Sequence, residues 1–208
     1  SPALKQAEVG IAVSNSTDVA KASSSIVLTE PGTKQIIDAI KISRQIYQRM
    51  LTWVINKITK VIQFIGLLTV GFFWLHDIVI SLLGMVLLVF ANDFVTMSLA
   101  TDNVQHTSNP NKWNVRNVTL SSLLIGAMLV VEGAITIYIG VNYFNLTLEE
   151  LRTFVLLTLV FTSQFRVYIV RERNHFWSSR PGKELLISTV ATILFFAFLG
   201  VYGTIIPP

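Results

Sequence analysis

Residues 78–100 read IVISLLGMVLLVFANDFVTMSLA, an apolar run with a single charged side chain, Asp93. A helix needs about 20 apolar residues to cross the hydrocarbon core of a bilayer. This run is long enough, and its reading sets the fold class: mainly α, a helical transmembrane bundle. The run also puts a carboxylate where lipid should be. An ionised side chain near mid-bilayer costs at least about 2.5–3.5 kcal/mol on insertion scales, so such a residue faces a pathway or a partner rather than lipid. Asn92 stands beside Asp93, either as a second polar contact or as a local loosening of the helix.

Working outward, four more apolar runs follow the same pattern, at about 51–75, 118–141, 153–170 and 185–206. Little more than His76 and Asp77 separates 51–75 from 78–100, which predicts a tight helical hairpin. Gly66, Gly71 and Gly84 are tolerated in spans and permit close helix approach. Composition agrees: 52% of the chain is apolar and 13% charged, against about 25% charged in soluble domains. The absence of cysteine excludes a disulfide framework and a thiolate metal site. The net charge of +4 lies mostly in residues 1–50 and in certain loops. It reads as topology and not as nucleic-acid binding.

Orientation follows from where Lys and Arg fall. The 171–184 loop carries Arg171, Arg173, Arg180 and Lys183, and the 101–117 loop carries Lys112 and Arg116. The 75–77 turn has neither, and 142–152 has Glu149 and Glu150 with only Arg152. Residues 1–50 and the two basic loops are therefore expected in the cytoplasm, with the last span ending outside at Ile205-Ile206-Pro207-Pro208. Trp53, Trp74, Tyr138 and Tyr143 fall near span ends as an interfacial belt. His76 reads as solvated in the outer turn, and Gln164 and Arg166 as anchors at the cytoplasmic interface.

Residues 1–32 read as the end of an α/β domain. A short helix lies over Ala3–Ala7, a buried strand at Gly10-Ile11-Ala12-Val13, a helix N-cap at Ser16-Thr17-Asp18 before Val19–Ala22, and a second strand at Ser25–Leu28, stopped by Glu30-Pro31-Gly32. About thirty residues cannot bury a core alone. With Ser1 opening the chain and no signal-like segment, the sequence is expected to be a fragment. From Thr33 a helix begins, with Ile36, Ile37, Ile40 and Tyr47 at helical spacing. Residues 33–50 form a stalk that runs without a breaker into the transmembrane part, 51–208. It is either a mechanical connection or a basic stretch touching lipid headgroups.

Two motifs in order carry a family resemblance. Ser1-Pro2-Ala3-Leu4-Lys5-Gln6-Ala7 with Val9-Gly10-Ile11-Ala12-Val13 resembles the segment after the hinge motif of P-type ATPases, G-D-G-x-N-D-x-P-A-L-K-x-A-x-x-G-I-A-V. Thr17-Asp18-Val19-Ala20-Lys21-Ala22 through Ile26-Val27-Leu28 resembles the following T-D-x-A-K-x-A-x-D-I-V-L, with Ser25 in place of the usual Asp. Asn92-Asp93, Thr96-Met97-Ser98 and Asp102-Asn103-Val104 are similar to L-N-D-G-T-x-M-x-I-x-x-D-x-V of the plasma-membrane proton-pump branch. Ser108-Asn109-Pro110-Asn111-Lys112-Trp113, Ser163-Gln164 and Phe176-Trp177-Ser178-Ser179-Arg180-Pro181-Gly182 resemble three further stretches of that branch. Phe94 stands where plant and fungal proton pumps have Gly. No Arg lies between Leu51 and Trp74, where those pumps set one opposite the aspartate.

The resemblance implies ATP-driven cation transport, H⁺ export in particular, by a multi-pass protein of the plasma membrane. ATP and Mg²⁺ would be bound by cytoplasmic domains outside this chain, because neither D-K-T-G nor G-D-G-x-N-D occurs in it. It also implies further amino-terminal spans and one more helix after Pro208. No catalytic residue is expected here, and the chain alone should not hydrolyse ATP. The partners are the lipid bilayer and the transported cation, with no nucleic acid. Asp93 becomes the expected ion site, about 12 Å deep counting eight residues from the cytoplasmic end. Lys60 is expected level with it and Gln63 one turn deeper. An Asp93–Lys60 pair would offset part of the cost of burying either charge. On the other reading Lys57 and Lys60 snorkel to the headgroups. Glu132, well inside the third span, either faces a watery route or hydrogen-bonds a neighbouring helix. A pump for another cation, a channel or secondary transporter, and a plain membrane anchor are the alternatives. The lack of a dense oxygen cage for Ca²⁺ favours H⁺.

Overall fold

The computed structural model describes residues 2–30, 34–110, 112–173, 175 and 177–203. Expectations that fall on Ser1, Pro31, Gly32, Thr33, Asn111, Phe176 and the last five residues lie outside the described residues. The described chain forms two compact units, residues 1–45 with 106–108, and residues 46–105 with 109–208.

The first unit holds the short elements. Helix α1 (Pro2–Gln6) leads to strand β1 (Ile11–Ala12), helix α2 (Asp18–Ala22) and strand β2 (Ile26–Val27). The strands pair in parallel, Ile11 with Ile26 and Ala12 with Val27, with α2 as the crossover. Thr17 caps α2 by accepting from the Ala20 N–H. Such a pair is normally covered on both faces. Here Ala12 and Leu28 are buried, while Val19, Ile26 and Val27 stay exposed. Within this unit Arg44 donates to the Thr107 and Ser108 carbonyls.

Helix α3 (Lys34–Leu75) begins the long elements. It runs 42 residues, about 63 Å at 1.5 Å per residue. Then come α4 (Leu82–Ser98, extended by a 3₁₀ turn to Thr101), α5 (Val115–Asn142), α6 (Leu148–Val170) and α7 (Lys183–Tyr202). All five are long and apolar enough to cross a membrane, and the expected runs fall on them with shifted ends. The fourth begins at Leu148, five residues before the apolar run. Thr147 and Glu150 form a capping box there, and acidic residues favour the positive end of the helix dipole. The last stops at Tyr202, with Gly203 in the left-handed conformation (φ 57°) that glycine adopts without a Cβ penalty.

Helix α6 is the most buried of the five. Leu151, Val155, Leu156, Leu159 and Val160 form the core with Leu67 of α3, Leu88 and Ala91 of α4, Ile137 of α5, and Phe196 and Leu199 of α7. The α3–α4 hairpin is less simple than a two-residue turn. Residues 76–81 are non-helical, and the chain folds back into the bundle there, so that Val79 and Ile80 are fully buried. Val79 fits against Gly71. A Cβ at Gly71 would lie 2.5 Å from Val79 Cγ1, so only glycine admits this approach. That contact sets the register of the two helices. Arg152 of α6 ties the turn down, donating to the Ile78 carbonyl and to the carboxylates of Asp77 and Glu149.

Candidate functional site

The buried face of α3 is polar where a span should be apolar. Gln48, Thr52, Asn56, Thr59 and Gln63 recur about one turn apart and are all buried, and only beyond them does the stripe turn to Leu67 and Gly71. Buried polar groups need partners, and α6 supplies the principal one. Arg166, 4% exposed, donates Nε to Asn56 Oδ1 at 3.2 Å and Nη1 to Gln63 Oε1 at 2.7 Å. Among the described residues no carboxylate forms an ion pair with it. The reading of Arg166 as an interface anchor is thus corrected: the α6 face that carries Leu159 and Ser163 turns it inward. Burying an ion without a counter-charge costs several kcal/mol, so this guanidinium is held in place by two amide oxygens at an energetic loss.

Asp93 lies on α4 next to this seam. Its Oδ1 accepts from Lys57 Nζ at 2.7 Å, with both side chains partly exposed, and Nζ also stands 5.7 Å from the Trp53 ring centroid. The pairing expected of Lys60 is made by Lys57. The reason is the re-entrant turn: Lys57 and Asp93 each lie fourteen residues from the Gly71–Val79 contact. Counting from His76-Asp77 as a simple turn puts Lys60 opposite Asp93 instead, one helical turn out. Lys60 remains within electrostatic reach of Asp93, Lys57 and Arg166.

Asn92 faces inward where Asp93 does not. It is buried, and its Nδ2 donates to the Leu88 carbonyl at 2.8 Å, so it acts as a local polar contact. Lys60, Gln63, Asn92, Ser163 and Arg166 line a cavity of about 10 Å³ with Phe64, Leu88 and Leu159, at the lower edge of what one water needs. Gln63 Nε2 and Gln164 Oε1 are buried without partners among the described residues. Glu132 of α5 is separate: its Oε1 lies 3.1 Å from Thr162 Oγ1 of α6. Of the expected residues, Lys60, Gln63 and Asn92 share the cavity, Asp93 neighbours it and Glu132 stands apart. Lys57 and Arg166 were missed. The signal for Arg166 was the amide-and-hydroxyl stripe of α3, which demands a buried donor opposite.

A second polar cluster closes the end of the bundle where the basic loops lie. Arg171, expected only as a topology marker, is 1% exposed. It donates Nε to Asp102 Oδ2 at 2.9 Å and Nη2 to Oδ1 at 3.2 Å, and reaches the Ser179 and Asn103 carbonyls. Asp102 also accepts from the Gly182 N–H, and its carbonyl accepts from Arg49. Thr101 donates to Glu184 at the start of α7, and Ser179 donates to Glu172 within the α6–α7 loop.

No protein-family model matches the chain. It is 35% identical, over its whole length, to a protein of Methanocaldococcus jannaschii described as a cation-transporting ATPase, covering 26% of that protein. A protein of Dictyostelium discoideum described as a plasma membrane ATPase is 31% identical over 97% of the chain and 20% of its own length. The plasma membrane ATPase of Kluyveromyces lactis is 32% identical over 92% of the chain and 22% of its own length. The chain spans about a quarter of the length of these relatives or less. Along its length it is similar to a segment of proteins described as cation-transporting and plasma membrane ATPases.

Proposed function

We propose that the chain is part of an ATP-driven cation pump of the plasma membrane, that the cation is H⁺, and that Asp93 carries it. The observation that supports this reading is the Lys57–Asp93 pair at 2.7 Å, set within a membrane-spanning hairpin beside a seam holding Arg166. A carboxylate that carries a proton must titrate, and moving between a dry site and one facing a cation changes its proton affinity. Lys57 supplies such a cation on a flexible stem. Lys60 lies within electrostatic reach of Asp93 as well, and two lysines beside one carboxylate suit a proton better than a metal ion. Asn92 and Gln63 line the adjoining cavity.

Among the described residues no three His, Cys, Asp or Glu side chains gather where they could hold a metal ion. ATP and Mg²⁺ belong, on this proposal, to parts of the protein outside the chain. The spans 51–208 serve as its transmembrane domain, residues 33–50 as its stalk and residues 1–32 as the end of its phosphorylation domain. The test is ATP-driven acidification by the whole protein in liposomes. Wild type acidifies the lumen and Asp93→Asn does not. Full acidification by the variant removes Asp93 from the role, and ATP-driven uptake of a metal cation with no proton movement removes H⁺.

A further inference from the structure

Glu132 sits seventeen residues after Val115 and ten before Asn142, in the middle of α5. Thr162 faces it from α6, and the two distances at the Thr162 hydroxyl decide where a proton lies. Oγ1 is 2.7 Å from the Thr158 carbonyl, the usual length of an O–H···O bond. Oγ1 is also placed to donate to Glu132 Oε1 at 3.1 Å, so two acceptors compete for its one proton. A threonine hydroxyl has one proton to donate and two lone pairs to accept with. The shorter bond takes that proton, so Oγ1 presents a lone pair to Glu132.

An ionised Glu132 would then set oxygen lone pairs against each other. It would also draw the hydroxyl away from Thr158 into a charge-assisted bond of about 2.5–2.7 Å, shorter than the one observed. Glu132 has no other compensation. Among the described residues its buried Oε2 has no partner, and no Lys, Arg or His forms an ion pair with it. Its neighbours one turn away on α5 are Met128, Leu129, Ile135 and Thr136, and the Thr136 hydroxyl is committed to the Glu132 backbone carbonyl. A carboxylate with neither cation nor donor at membrane depth is too costly, whereas a carboxyl that donates to Thr162 satisfies every proton in the chain Glu132–Thr162–Thr158.

We propose that Glu132 is a proton-binding site in the α5–α6 seam, distinct from Asp93, holding its proton on Oε1 against Thr162 Oγ1. The bond joins two helices that carry no part of the Lys57–Asp93 pair. Turning the Thr162 hydroxyl toward Glu132 converts the site from proton holder to proton donor, because the hydroxyl then stabilises the carboxylate. The inference does not rest on the transport reading, and its readout is spectroscopic.

Infrared difference spectra of the purified protein in lipid at neutral pH provide the test. Against wild type, Glu132→Gln loses one carbonyl stretch of an un-ionised carboxyl, and Asp93→Asn keeps it. Thr162→Val removes the acceptor and shifts the same band to higher frequency. If Glu132→Gln instead loses a carboxylate stretch, or if the band is unmoved in Thr162→Val, the proposal is overturned. Thr162→Val leaves Glu132 itself in place, so it decides the matter even where Glu132→Gln folds poorly.

Discussion

Two arginines five residues apart at one end of α6 are both buried, and they are partnered in opposite ways. Arg171 meets the Asp102 carboxylate with two nitrogens and loop carbonyls with the rest. Arg166 meets only the amide oxygens of Asn56 and Gln63. The first arrangement is saturated in charge and in hydrogen bonds, and it joins the α4–α5 and α6–α7 loops. The second leaves a positive charge in the bundle interior, and beside it Gln63 Nε2 finds no partner among the described residues. Folding has every reason to keep the first and none, by itself, to keep the second. Polar groups retained at a loss in a membrane interior mark pathways, and the difference between the two arginines separates the device that holds the bundle from the device that works in it.

The comparison can be broken in three ways. The largest effect is expected for Arg171→Met, which leaves the fully buried Asp102 without a counter-charge. Removing one partner of a buried pair costs about 3–5 kcal/mol, so thermal unfolding of the purified protein should drop sharply, with much of the loss recovered in Arg171→Met combined with Asp102→Asn. Next is Gly71→Ala, whose new Cβ meets Val79 at 2.5 Å. Overpacking of this kind costs about 1–3 kcal/mol, and it moves α3 against α4. Transport should fall along with the melting temperature, because the Lys57–Asp93 register depends on that contact. The smallest effect on stability is expected for Arg166→Met made together with Asn56→Leu and Gln63→Leu. Replacing buried charge and its partners with packed apolar side chains is often neutral or stabilising. The melting temperature should stay within a shift equivalent to about 1 kcal/mol of wild type, while proton transport in liposomes is lost. If this triple variant unfolds as readily as Arg171→Met, the two arginines do the same job and the contrast fails.

Much of this was legible in one dimension. Long apolar runs announce spans whatever their partners, and Asp93 stands out because the run around it carries no other charge. The two short strands and α2 are visible through their apolar content and the Thr17 cap. What could not be read was facing and register. Arg166 and Arg171 occupy sequence positions where an interfacial anchor and a buried guanidinium look alike, and only the packing of α6 against α3 and the loops tells them apart. Lys57 and Lys60 differ by less than one turn. The choice between them turns on residues 76–81 folding back into the bundle, a matter of Val79 fitting against Gly71 that no periodicity records.

The stripe on α3 has a consequence for how that helix can move. Asn56 and Gln63 are seven residues apart, and so are Thr52 and Thr59, four residues earlier on the same buried face. Advancing α3 along its axis by four residues, about 6 Å, brings two hydroxyl oxygens to the positions vacated by the two amide oxygens. Shifts of one or two residues bring Ile55 and Ile62, or Val54 and Val61, there instead. A shift of α3 by one full turn would therefore keep oxygen-bearing side chains on the Arg166 side, whereas smaller shifts would set apolar ones there.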